Sequence, residues 1–195
     1  YPALIGLVVS LFLVYLGSHA VQSNWSFFTI EKFNWSPQMI GISLGVVGLL
    51  VGGVQAGLTR VLNPKLGNEK SIYLGLLLYS IGMLLFAVAS QSWMMFAFLV
   101  PYCLGGISGP ALQSVMAGHV PANEQGELQG SLTSLMSATT IVGPLLMTNT
   151  FAYFTNKTHS IYFPGAPFLL GAIFMLASSA VAYYTLHTKA FKAEN

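Results

Sequence analysis

Residues 109–148 read GPALQSVMAGHVPANEQGELQGSLTSLMSATTIVGPLLMT, two apolar runs on either side of a polar turn. The turn contains Pro121, Asn123 and two of the chain's five acidic residues, Glu124 and Glu127. A proline near the end of one apolar run, followed by Asn and Glu at the start of the next, predicts that one helix stops and another begins. Each run is long enough for a membrane span, which needs about 20 apolar residues. The stretch therefore predicts two membrane helices joined by a short polar connection.

The composition of the whole chain extends this prediction to an all-α integral membrane protein. Of 195 residues, 54% are hydrophobic and 6% are charged, there is no Asp, and the mean hydropathy is +0.69. A soluble domain carries roughly a quarter of its residues as Asp, Glu, Lys and Arg, so this chain has too little charge for a water-solvated surface. The net charge of +2 and the lack of a basic run argue against a nucleic-acid partner.

No pattern in the sequence indicates an enzyme, a metal site or a cofactor. Cys103 is the single cysteine and lies in an apolar run, which excludes a disulfide framework and a thiolate metal site within the chain. The four histidines, at positions 19, 119, 159 and 187, do not have metal-ligand spacing. There is also no phosphate-binding glycine loop and no nucleophile elbow.

Breaks rich in Pro, Gly, Asn and charge divide the chain into six predicted spans, at about 3–27, 38–60, 71–90, 93–118, 126–153 and 166–187. Because the number is even, both termini lie on one side, and the Lys and Arg distribution decides which side. Five basic residues fall on the side of the termini and two on the opposite side, which predicts cytoplasmic termini in an inner cell membrane. The five are Arg60, Lys65, Lys70, Lys189 and Lys192, and the two are Lys32 and Lys157.

Two expectations concern the ends and edges of the chain. It starts at Tyr1 with no basic segment or cleavage site, so we expect it to be part of a longer protein. With cytoplasmic termini, Trp25, Trp35 and Trp93 all fall near the outer face, where we expect them to act as interfacial anchors.

Polar side chains recur at helical spacing inside the first, fourth and fifth spans. In the first span, His19, Gln22, Ser23 and Ser26 share one face, which is therefore not expected to meet lipid. An ionisable group inside a membrane is a functional candidate, although a neutral His19 bonded to a neighbouring helix would also explain it. The other two faces comprise Tyr102, Gly106, Gly109 and Gln113 in the fourth span, and Gly126, Gly130, Ser134, Ser137 and Thr140 in the fifth.

The second span reads GISLGVVGLLVGGVQAG over residues 41–57, and its small residues at four-residue spacing predict close packing against another helix. Gln55 is its one strongly polar side chain. Pro110 and Pro144 lie inside the fourth and fifth spans. Each removes a backbone donor, so we expect a helix kink at both.

We expect Asn123 to cap the fifth span, with Glu124 and Glu127 in its first turn, where acids complement the helix dipole. A sharper hypothesis is a cytoplasmic gate in which Glu124 or Glu127 pairs with Arg60 or Lys65. Such exposed pairs contribute only about 0 to 1 kcal/mol, which can still bias two nearly balanced conformations.

Two stretches resemble a known family. Residues 109–148, with the elements PALQ, QGELQG and GPLL, resemble the tenth and eleventh helices of tetracycline-exporter-like drug:proton antiporters of the major facilitator superfamily. Residues 25–45, WSFFTIEKFNWSPQMIGISLG, resemble the junction of the seventh and eighth helices. The resemblance extends over essentially the whole chain.

The resemblance implies that the chain is the C-terminal six-helix half of a twelve-helix transporter, built from two inverted three-helix repeats. The N-terminal half, absent from this chain, would then be a partner, together with the bilayer, protons and a small-molecule substrate. The first, second, fourth and fifth spans would line a central cavity, and the third and sixth would face outward. Val51 and Tyr79 stand where tetracycline-exporting members carry a histidine and an aspartate, so the resemblance does not extend to tetracycline as the substrate.

The resulting hypothesis is proton-coupled export of a small amphipathic organic compound by alternating access, with the coupling acid in the absent half. Two alternatives stay open: a facilitator or symporter for a sugar or other metabolite, and a six-helix homodimeric scaffold or channel joined through the glycine-rich second span. The predicted substrate-pathway residues are His19, Gln22, Gln113, Tyr102, Gln55 and Gln129.

Overall fold

A computed structural model describes residues 2–158 and 160–187, and every regular element in that part of the chain is a helix. Six helical stretches are long and apolar enough to cross a membrane, which confirms the predicted all-α class and the number of spans. The eight α-helices are α1 (Pro2–Phe33), α2 (Pro37–Gly53), α3 (Thr59–Leu66), α4 (Asn68–Val88), α5 (Ser92–Leu104), α6 (Ser108–Gly118), α7 (Gln125–Thr155) and α8 (Ala166–His187). The second span comprises α2 and α3, and the fourth comprises α5 and α6.

The first two spans are about six residues longer than the sequence predicts. The first continues through Glu31 and Lys32 to Phe33. Lys32 Nζ lies 5.4 Å from the centroid of the Phe28 ring, one turn earlier in the same helix. It stops at Asn34, whose φ is +52°. The second span stops only at Gly67, whose φ of +81° suits glycine and whose N–H donates to Asn63 O at 2.9 Å.

Two spans contain breaks in the regular helix. A π-helical turn at Val54–Leu58 interrupts the second span, and Thr59 Oγ1 donates to Val54 O there at 2.9 Å. A 3₁₀ turn at Gly105–Ile107 interrupts the fourth span directly before Pro110, which has no N–H to donate to the preceding turn. In contrast, α7 runs without interruption through Pro144.

The interior of the bundle lies between α1, α4 and α8. Phe28, Phe86 and Phe168 are fully buried there. The ring centroid of Phe168 lies 4.9 Å from that of Phe28 and 5.7 Å from that of Phe86. Ser10 Oγ and Ser178 Oγ form a 2.7 Å hydrogen bond between α1 and α8. The sixth span, α8, therefore packs against α1 in the interior of the bundle.

Two of the three expected tryptophan anchors belong to the interior instead. Trp25 and Trp35 are only 2% and 6% exposed, whereas Trp93 is 60% exposed. Trp25 Nε1 donates to Ser43 Oγ at 2.8 Å, and Trp35 Nε1 donates to Ser92 Oγ at 2.5 Å. Because each indole N–H has an internal acceptor, these two rings need no contact with the membrane interface.

Close helix packing also differs from the prediction. In the second span, a β-carbon added at any of six glycines would meet no described heavy atom within 4 Å. We call this surface the glycine face; it comprises Gly41, Gly45, Gly48, Gly52, Gly53 and Gly57. Close contacts at glycines occur at other helix pairs instead, for example between the third and fourth spans, where a β-carbon on Gly82 would lie 2.8 Å from the Tyr102 backbone.

Candidate functional site

A polar cavity of about 860 Å³ opens between the first, second, fourth and fifth spans. The described residues that line it include no Asp, Glu, Lys or Arg. Apolar groups make up most of its lining, and the polar side chains on it are those of Tyr15, Ser18, His19, Gln22, Ser26, Gln55, Thr59, Tyr79, Tyr102, Gln113, Thr139 and Thr140. The cavity can therefore form hydrogen bonds to a solute but offers no formal charge from this chain.

The α1 side of the polar cavity is a short chain of hydrogen bonds. Gln22 Nε2 donates to Ser18 Oγ at 3.1 Å, and Ser18 Oγ donates to Tyr15 O at 2.7 Å. The three residues are three or four positions apart, so a regular helix presents them on one face. This arrangement places the predicted residue Gln22 in the cavity.

Gln113 connects the α6 side of the cavity to α1. Its Nε2 donates to the hydroxyl of Tyr15 at 3.0 Å, between residues 98 positions apart in the chain. Sequence reasoning missed Tyr15 because a tyrosine in an apolar run resembles any other core residue. Its spacing of three from Ser18 and seven from Gln22 was the available signal.

His19 of α1 packs against Gly143 of α7. Its side chain is 6% exposed and borders the polar cavity. A β-carbon added at Gly143 of α7 would lie 2.6 Å from Cγ of His19. The absence of a side chain at Gly143 therefore allows the imidazole to fit between the two helices.

Two tyrosines form the inner end of the cavity. Tyr102 is 7% exposed, and its ring centroid lies 5.2 Å from that of Tyr79 and 5.6 Å from that of Phe86. The neighbouring rings leave Tyr102 little free surface. Tyr79 belongs to the third span, which was expected to face outward, so that span contributes one residue to the lining.

Gln55 and Gln129 differ in position. Gln55 borders the polar cavity from the π-helical turn of the second span, in which the helix is locally widened. Gln129 is exposed on α7 and is not among the residues that line the cavity. The structure thus brings five of the six predicted substrate-pathway residues together and leaves Gln129 outside.

The two acidic members of the predicted gate border one groove. Glu124 and Glu127 line a second groove of about 300 Å³, whose apolar side is formed by α1 residues beginning at Leu4. Arg60 and Lys65 are exposed near the end of the second span and are not among the residues that border this groove. The pairing of an acidic with a basic member stays a prediction.

The connection before α7 is also built differently from the prediction. Asn123 lies inside a 3₁₀ turn, Ala122–Glu124, and Glu124 occupies the N-cap position of α7. The neighbouring Gln125 donates from Nε2 to the carbonyls of Ala117 and Val120, both at 2.7 Å. Gln125 thus bonds to carbonyls at the end of α6 and in the turn that follows, and Glu124 rather than Asn123 takes the N-cap position.

On the opposite side of the bundle, a hydrogen bond ties a loop to the end of α1. Tyr162 Oη donates to Glu31 Oε1 at 2.7 Å. This hydrogen bond raises the pKa of Tyr162, with a smaller contribution from burial. The contact links the connection between the fifth and sixth spans to the first span.

Six apolar spans around a cavity large enough for a small solute define a multi-pass membrane protein. Residues 7–195 match the Major Facilitator Superfamily, and the chain belongs to this superfamily of transporters.

Similar proteins include several bacterial resistance proteins. The chain is 36% identical over 146 residues to the tetracycline resistance protein, class C, of Escherichia coli, covering 75% of this chain and 37% of that protein. It is 38% identical over 160 residues to the class E protein of Escherichia coli, covering 80% and 38%. It is 33% identical over 173 residues to the class H protein of Pasteurella multocida, covering 89% and 42%. The chain thus spans well under half the length of these relatives.

Proposed function

We propose that this chain forms one side of a transporter that exports small amphipathic organic compounds in exchange for protons by alternating access. The polar cavity is the observation that carries the proposal. Its volume of about 860 Å³ falls within the roughly 300–1,000 Å³ of sites for drug-sized ligands. The names of the similar proteins refer to tetracycline resistance, which supports export of a drug-like compound.

Five residues are proposed to contact the substrate: His19, Gln22, Gln55, Tyr102 and Gln113. They combine amide, imidazole and aromatic groups, which suits a molecule with both polar and apolar parts. Because no carboxylate of the described chain lines the cavity, the acid that couples transport to protons is proposed to come from another part of the full transporter.

A second six-helix half is the proposed partner, and the exposed surfaces of the second and fifth spans support its location. Only 11% and 22% of the residues in the most apolar parts of these spans are buried, against 44% or more in the other four. The glycine face of the second span is open to close approach by another helix.

A homodimer of this chain is a second candidate, favoured by the same open glycine face. Gly45→Leu would block close packing against a second half and against a second copy alike, so this variant does not distinguish the two candidates. Light scattering of the purified intact protein decides between them. One copy per particle supports two halves in one chain, and two copies support the homodimer.

The proposed location is an inner cell membrane with both ends of this chain in the cytoplasm. Arg60, Lys65 and Lys70 lie around the connection between the second and third spans. Lys32 lies at the C-terminal end of the first span, near the connection between the first and second spans. Lys189 and Lys192, which also entered the orientation argument, lie outside the described residues. Labelling of a cysteine introduced at Lys65 from the cytoplasmic side, and at Lys157 from the outer side, supports this orientation.

Transport in inside-out membrane vesicles tests the function directly. We expect vesicles carrying the intact transporter to accumulate fluorescent amphipathic dyes when a proton gradient is imposed, and to stop when a protonophore removes it. Gln113→Ala should reduce accumulation, and Gln129→Ala, outside the cavity, should not. Equal accumulation with and without the gradient would contradict proton exchange, and equal behaviour of the two variants would contradict the proposed pathway.

A further inference from the structure

The hydrogen bonds around Tyr15 leave specific groups unused. The Tyr15 hydroxyl accepts a hydrogen bond from Gln113 Nε2, and no hydrogen bond from that hydroxyl to another described residue is present. Gln22 uses its Nε2 on Ser18. A hydroxyl can donate as well as accept, and a side-chain amide oxygen accepts independently of its nitrogen. The α1 and α6 sides of the polar cavity therefore present a hydroxyl donor on Tyr15 and amide acceptors on Gln113 and Gln22, while Tyr79 and Tyr102 line the cavity from α4 and α5.

This side of the cavity gives no compensation to a charged group. The described lining residues carry no carboxylate, ammonium or guanidinium group, and their one basic group, the imidazole of His19, is 6% exposed and packs against Gly143. A charge that leaves water without gaining an opposite charge or several strong hydrogen bonds is strongly disfavoured. An uncharged carbonyl or similar oxygen loses much less hydration and can accept the Tyr15 proton in return.

Two of the aromatic side chains that line the cavity offer little ring surface. Trp25 is 2% exposed and packs against Trp35 and Phe86, with centroid separations of 6.3 and 5.3 Å. Tyr102 is 7% exposed and packs against Tyr79 and Phe86. A cation–π contact requires a cation over an open ring face within about 6 Å. Because Trp25 and Tyr102 are almost fully buried, they are poor sites for an organic cation.

We propose that Tyr15 is a specificity-determining residue that donates a hydrogen bond to an uncharged oxygen of the substrate, and that Gln113 positions its hydroxyl. The ligand class is an aromatic or otherwise apolar compound bearing a neutral acceptor such as a carbonyl or phosphine oxide. The inference rests on the proposed function, because it assigns the substrate chemistry of the same cavity. Neither the sequence pattern nor the names of the relatives assigns a role to Tyr15.

A matched pair of compounds tests the inference. Triphenylphosphine oxide has three phenyl rings and one strong neutral acceptor, whereas tetraphenylphosphonium has a similar body, a permanent charge and no acceptor. Equilibrium dialysis against the purified intact transporter at pH 8 gives a Kd for each. We expect Tyr15→Phe to weaken binding of the phosphine oxide roughly three- to tenfold, as for one lost hydrogen bond, and to leave the phosphonium Kd unchanged.

Two further variants separate positioning and recognition from general damage. Gln113→Leu leaves the tyrosine in place but removes the bond that orients it, so it should weaken the phosphine oxide selectively and by less than Tyr15→Phe does. Tyr184→Phe, at a side chain that is 75% exposed and far from the cavity lining, should change neither Kd.

Three results would overturn the inference. They are an unchanged phosphine oxide Kd in Tyr15→Phe, an equal loss for both compounds, and no measurable binding of either compound to the unaltered protein. The measurement uses no proton gradient, so its failure is distinguishable from failure of the proposed exchange. A protein that shows the expected Kd pattern but transports without protons would keep the Tyr15 role and lose proton coupling.

Discussion

The contact between His19 and Gly143 can be tested by adding a single carbon atom. In Gly143→Ala, the new β-carbon would lie 2.6 Å from Cγ of His19, about 0.9 Å closer than an ordinary carbon contact of about 3.5 Å. His19 is 6% exposed, so the imidazole has little room to move away. Overpacking of this kind costs about 1 to 3 kcal/mol.

The matched control is Gly130→Ala on the same helix. A β-carbon at Gly130 would meet nothing within 4 Å, and alanine in a helix is favoured over glycine by about 1 kcal/mol. The control should therefore be neutral or slightly stabilising, which makes the difference between the two variants larger than the overpacking cost alone. Reversible unfolding of the purified intact protein in mixed detergent micelles measures both.

A double-mutant cycle identifies the imidazole as the cause. His19→Ala removes the ring that the new carbon meets, so the double variant should be more stable than the sum of the single effects predicts, by about 0.5 to 3 kcal/mol. Strict additivity would refute the reasoning, as would a Gly143→Ala protein that is as stable as the control.

The remaining predictions concern other contacts. Gly82→Leu should prevent stable folding because its β-carbon alone would lie 2.8 Å from the α5 backbone, whereas Gly45→Leu should leave the bundle folded; detergent-resistant monodispersity on size exclusion measures this difference. Gln125→Leu should cost about 1 to 3 kcal/mol by removing two hydrogen bonds, to the carbonyls of Ala117 and Val120, and hydrogen exchange of that turn should rise. Tyr162→Phe should cost no more than about 1 kcal/mol because the bond to Glu31 is exposed. Since that bond raises the pKa of Tyr162, its contribution is present below about pH 10 and is lost as pH rises through the raised value, which a pH series of the two proteins would detect.

Helical spacing grouped three of the four polar residues predicted for one face of α1. His19, Gln22 and Ser26 border the same cavity because residues three, four and seven apart share one side of a helix, whereas Ser23 does not line it. The same spacing also fits Tyr15, three positions from Ser18 and seven from Gln22, but a tyrosine in an apolar run resembles any other core residue. Spacing could not give Tyr79, because its place in the lining depends on which helices lie beside α4, and spacing within one helix carries no such information.

The error at Trp25 and the open glycine face of the second span have the same origin. A tryptophan near the end of a span predicts an anchor at the membrane surface, yet the buried acceptor for Trp25 is a serine in another helix. The glycine face predicts a close neighbour but does not say whether that neighbour belongs to this chain. The predicted cap at Asn123 is wrong for a more local reason, because residues 122–124 form a 3₁₀ turn and α7 begins only at Gln125.

The π-helical turn at Val54–Leu58 also divides the second span into two rotational frames. Such a turn is equivalent to one residue inserted into an α-helix, and one residue corresponds to a rotation of about 100°. The segment that carries Arg60 and Lys65 is therefore turned by about that angle relative to the frame that Gly41 and Gly45 define. A helical wheel drawn through the whole span assigns those two cations to the wrong side, and an alignment with a relative that lacks the turn requires a one-residue gap between positions 54 and 58.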